Sequence, residues 1–94
     1  MKANYNRSTV QAENELRQLF EEKSVYEMTV WVRDHAQYLK WFCNYDETKI
    51  DTTVQVLMSV SHLVYQKYND NPDVVENFRE FCIACVIELE INCR

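Results

Sequence analysis

Cys82 and Cys85 stand three residues apart, the spacing at which two thiolates can grip a zinc ion or form a redox pair. A closed zinc site needs two more ligands, and the remaining candidates are His35, His62, Cys43 and Cys93. Asp34 and His35 form a second constellation, a carboxylate beside an imidazole, the pairing of general acid–base catalysis. Each has a plainer reading. Free cysteine is among the most buried residue types, and Cys82 and Cys85 fall on the apolar side of one helical pattern. His35 lies on an apolar stripe while Asp34 points about 100° away around the helix, so the two do not form a dyad. No serine is spaced to meet a histidine, and no Glu-x-x-His repeats of the di-iron type occur. The residue chemistry therefore favours no enzyme, no metal and no cofactor.

The elements that carry these residues are helices. The chain of 94 residues contains no glycine and a single proline, Pro72. It therefore lacks glycine-rich phosphate loops, glycine-dependent hairpins and glycine helix caps. The expected fold is all-α: one antiparallel four-helix bundle with helices over residues 8–22, 25–43, 48–68 and 72–92, behind a frayed arm at residues 1–7. Ser8 with Gln11 and Ser24 with Glu27 read as capping boxes. Asp46 or Thr48 can cap the third helix, and Asn71-Pro72-Asp73 reads as a cap, a first-turn proline and an acid at the positive dipole end. The core stripes are Ala12, Leu16, Leu19 and Phe20; Met28, Val32, His35, Leu39 and Phe42; Ile50, Val54, Leu57, Val60 or Ser61, Val64 and Tyr68; and Val74, Phe78, Phe81, Cys82, Cys85, Val86 and Leu89.

The register of such a bundle limits metal chemistry. At about 1.5 Å rise per residue, His35 and Cys82 reach the same depth, while Cys85 and His62 do not. Cys43 and Cys93 fall together at the opposite end and are the pair able to form a disulfide in an oxidising compartment. No apolar leader or membrane span is present, so the expected location is cytoplasmic and the expected state of the thiols is reduced.

Two sets of apolar residues lie off the main stripes: Ile83, Ile87 and Ile91 on the fourth helix, and Tyr26, Val30 and Trp41 on the second. Large unburied apolar surface marks interfaces, and Glu76, Glu80 and Glu90 would form a polar rim beside the isoleucines. The net charge of −5 excludes nucleic acid and anionic membrane as natural partners and suits a basic or neutral protein. The expected function is a non-enzymatic acidic interaction module, of inhibitor, immunity or adaptor type, that binds and regulates or neutralises a protein partner. A self-assembling protein, with a two-fold homodimer as the commonest form, is the alternative, ahead of a metal-binding or redox protein.

Overall fold

Polar joints decide where the helices begin. The computed structural model describes residues 7–42 and 47–93, and these fold into α1 (Thr9–Phe20), α2 (Val25–Phe42), α3 (Glu47–Lys67) and α4 (Pro72–Asn92). Ser24 forms both halves of its capping box with Glu27, at 3.0 and 3.1 Å. Ser8 caps the Gln11 amide at 3.1 Å, but the Gln11 side chain turns to Glu15 instead of closing the box. Asn71 accepts from the Asp73 and Val74 amides, with Pro72 in the first turn. Thr48 lies inside α3, and the alternative cap, Asp46, falls outside the described residues.

Without glycine, the end of α1 is closed by a side chain. Arg79 of α4 donates from Nε to the Phe20 carbonyl at 3.0 Å and from a terminal nitrogen to that of Glu21 at 3.4 Å. This satisfies carbonyls left over at the helix end and sets a cation against its negative pole. No described residue takes a positive φ.

The four helices form an antiparallel bundle that is flattened, with principal extents of 46 × 26 × 14 Å. The flattening arises because α2 packs on α4 as closely as on α3, while α1 packs chiefly along α4. Contacts fix the directions. Arg17 meets Glu80 and Arg79 meets Phe20, so α1 and α4 run opposite ways. Thr29 meets Ser61 and Lys40 meets Asp51, so α2 and α3 also run opposite ways.

Placing α4 at the centre explains its two apolar sides. One side, with Phe78, Cys82 and Val86, joins Met28, Val32 and Leu57 in the core; Ala12, Leu16 and Phe20 of α1 and Ile83 of α4 complete the same cluster. Ile83 is 3% exposed and Ile87 packs half-buried against the cluster. The isoleucine stripe expected to face a partner is thus largely occupied by α1, and only its end, Ile91, is open at 45% exposure. A second cluster, Ala36, Leu39, Ile50, Leu89 and Cys93, fills the far end.

Unequal helix lengths shift the register. Because α3 and α4 have 21 residues each against 12 and 18 for α1 and α2, the α3–α4 turn projects beyond the α1–α2 joint. Arg79, seven residues into α4, lies level with the end of α1, a projection of about 10 Å. Leu19 and Tyr68, expected on core stripes, are exposed; Tyr68 sits on the projecting end. Cys93 is buried and disulfide-bonded, whereas reduced thiols were expected throughout. The other member of the expected pair, Cys43, lies outside the described residues.

Candidate functional site

Small residues at the α2–α3 contact create an apolar recess on the surface. Thr29 and Ser61 meet across it at 2.6 Å. The Thr29 hydroxyl donates to the Val25 carbonyl at 2.8 Å, so Ser61 is the donor between the two hydroxyls. Both are buried and both are satisfied. Neither carries a long side chain, and the bulky residues on either side stand up as walls. Tyr26 and Val30 form the α2 wall, and Met58 and Tyr65 the α3 wall, around a groove of about 190 Å³. Arg33 and His62 stand at its rim. Tyr26 is 67% exposed and Tyr65 56%. A larger hollow of about 680 Å³ lies over the α3–α4 turn; Tyr65, Tyr68 and Pro72 line it, but so do Gln66, Lys67, Asn69, Asp70 and Asn71, and its exposed lining is mainly polar.

The structure brings Tyr26 and half-buried Val30 into one wall and leaves Trp41 apart. Trp41 is 85% exposed, beside Asp34, Gln37 and Tyr38. It lies about 22 Å along α2 from Tyr26. Met58 and Tyr65 stand beside the expected α3 core stripe, and the sequence pattern gave them no part in a site. Their spacing of seven residues puts them on one line down the helix, and the two residues of small volume opposite them, Thr29 and Ser61, are the signal that this line faces a gap.

The glutamates assigned to a rim are engaged with the chain's own cations. Glu80 pairs with Arg17 at 2.6 Å and Glu76 with Arg79. Glu90 is not at a rim: it is 1% exposed. His35 of α2 bonds its carboxylate at 2.9 Å, and Arg7 bonds both its oxygens while also meeting Glu15 at 2.7 Å. A carboxylate only accepts, so His35 Nε2 carries the proton and donates it. Burial, the largest single influence, pushes the Glu90 carboxyl up; hydrogen bonds from His35 and Arg7 and the charge of both outweigh it and hold the group below its ordinary 4.5. The His35 ring stacks on Trp31 at 4.8 Å between centroids, and Trp31 meets Phe20 edge-on at 5.4 Å. This cluster ties the segment before α1 to α2 and α4. Arg7, the only described residue of the arm expected at residues 1–7, belongs to it.

The metal and redox candidates are not drawn together. His35 turns to Glu90 rather than to Cys82, because the projection of α4 carries Cys82 away from the depth that equal helix starts imply. Asp34 pairs with Arg33 rather than with its neighbour His35. Cys82 and Cys85 are buried free thiols, and burial pushes them up to about 12 and about 11, far from the thiolate form that binds metal or attacks disulfides. Among the described residues no three His, Cys, Asp or Glu side chains cluster as metal ligands, and no helix is long and apolar enough to cross a membrane. No protein-family model matches this chain, and neither a curated protein nor a solved structure is found to be similar to it.

Proposed function

We propose that this chain is a non-enzymatic helical interaction module that binds a protein partner, and regulates or neutralises it, through the outer face of α2 and α3. The observation that carries this reading is the groove between Tyr26 and Val30 on one side and Met58 and Tyr65 on the other. Tyrosine supplies large contact area for little lost rotamer freedom, methionine adapts to irregular surfaces, and aromatic anchors dominate interface energetics. The floor hydroxyls are spent on each other and on the Val25 carbonyl, so a partner can cover the floor without stranding a polar group there. Trp41, further along α2, offers a second anchor.

The test is a comparison of variants. Tyr26→Ala combined with Tyr65→Ala is expected to weaken binding of the cellular partner by about thirty-fold or more, with the circular dichroism spectrum unchanged, since both side chains are mostly exposed. Quantitative affinity capture from the producing cell reads the loss. Equal recovery of the same protein by the native chain and the double variant would remove the α2–α3 face from the proposal.

A further inference from the structure

We infer that the α2–α3 groove takes an acidic amphipathic helix of its partner, inserting one bulky apolar side chain with a carboxylate one turn away. This rests on the reading of the groove as the partner site, and it reverses at that spot the expectation of a basic partner. The chain is acidic overall, yet among the described residues lining the groove none is a carboxylate. Arg33 and His62 supply its charge and imidazole chemistry. The other polar groups of the walls are the phenols of Tyr26 and Tyr65. Every polar group of walls and rim is thus able to donate a hydrogen bond, and a guanidinium can do nothing else. The two hydroxyls of the floor are already paired. The surface therefore complements a ligand that brings acceptors, carboxylate above all. Meanwhile Glu76, Glu80 and Glu90, the acids expected to rim a partner site, are engaged with Arg79, Arg17 and Arg7.

Size and shape select a helix over a small molecule. At about 190 Å³ the groove falls short of the roughly 300 Å³ and above of sites for small ligands, but it admits an anchor side chain. It runs between two antiparallel helices, the setting in which an amphipathic helix lays down its apolar face. Arg33 lies three and four residues beyond Val30 and Thr29, one turn along α2. A carboxylate one turn from the anchor meets it. The Arg33 side chain is exposed and its contact with Asp34 is long, 3.5 Å, so it can turn to a ligand at low cost.

The probe is a displayed library of randomised helical peptides selected on the full chain and on three variants: Arg33→Glu, Tyr26→Ala with Tyr65→Ala, and Val10→Ala as a surface control. Pools selected on the native chain are expected to be net negative with one recurrent bulky apolar position. Their affinity is expected to fall about ten-fold in Arg33→Glu and about thirty-fold in the double tyrosine variant, and to hold in Val10→Ala. A pool that depends on the two tyrosines but is neutral or basic overturns the acidic ligand and leaves the groove reading standing. A pool insensitive to the tyrosines, or no enrichment, overturns both. A dimer in sedimentation that Met58→Glu dissociates would put a second copy in the groove and overturn the acidic helix.

Discussion

Replacing Glu90 with alanine is expected to cost about 3 kcal/mol or more of folding stability, read by urea or thermal unfolding. Removing one partner of a buried ion pair strands the others, and losses of roughly 3–5 kcal/mol are usual. Here a guanidinium and an imidazole N–H lose this acceptor together, since Arg7 and His35 both point at this carboxylate and both are mostly buried, while Arg7 keeps its contact with exposed Glu15. The same cluster sets an acid limit. The folded state holds Glu90 below its ordinary 4.5, so on acidification the unfolded chain takes up the proton first. The stabilisation is complete above that ordinary value and is lost as pH falls below it through the folded value. Glu90→Gln keeps much of the shape without the titration. Its stability is expected to vary less than the native protein's below pH 4.5, and an unchanged acid profile would show that the cluster does not govern acid unfolding.

Phe20→Ala is the second large effect, about 4 kcal/mol from the removal of a fully buried aromatic ring. Phe20 is the largest of the wholly buried side chains among the described residues. It closes the end of α1 against the core and meets Trp31 of α2 edge-on. The loss is expected to appear as a lower unfolding midpoint together with quenching or shift of Trp31 fluorescence, recorded in a Trp41→Phe background. Ile87→Glu would act through the same place. The sequence makes Ile87 look like a probe of partner binding, but it lies half-buried beside the core cluster that α1 completes, so a charge there loosens α1 before it touches any partner.

Those two residues show which parts of the molecule were legible from residue types. Helix starts were, because Ser24 with Glu27 and Asn71 with Pro72 are local chemistry: the bonds join residues within three positions of each other. The helices themselves follow from the 3.6-residue period and fall within two residues of the expected bounds at each end. Which stripe meets which was not legible. The isoleucines of α4 look like surplus apolar surface until α1 is laid over them, and nothing in the lettering of either helix says that α1 prefers α4 to α2. Glu90 has the same pattern as the exposed acids Glu76 and Glu80 around it. Its burial depends on Arg7 and His35 arriving from 83 and 55 residues away. The groove was half legible: Tyr26 and Val30 stood out as an off-stripe pair, while the opposing wall required the α2–α3 register set by Thr29 and Ser61.

Since α1 lies mainly along one neighbour, with Arg7, Arg17 and Arg79 fastening it at points from one end to the other, it can peel away as a unit while α2, α3 and α4 stay together. Amide hydrogen exchange should report this as a subglobal opening: α1 protons exchanging together, faster than those of α4 and faster still at high ionic strength, as salt screens the fastenings. Each such opening uncovers Ile83 and Ile87, so the sticky surface of this protein is transient, and its tendency to aggregate should follow the opening equilibrium of one helix rather than unfolding of the whole chain.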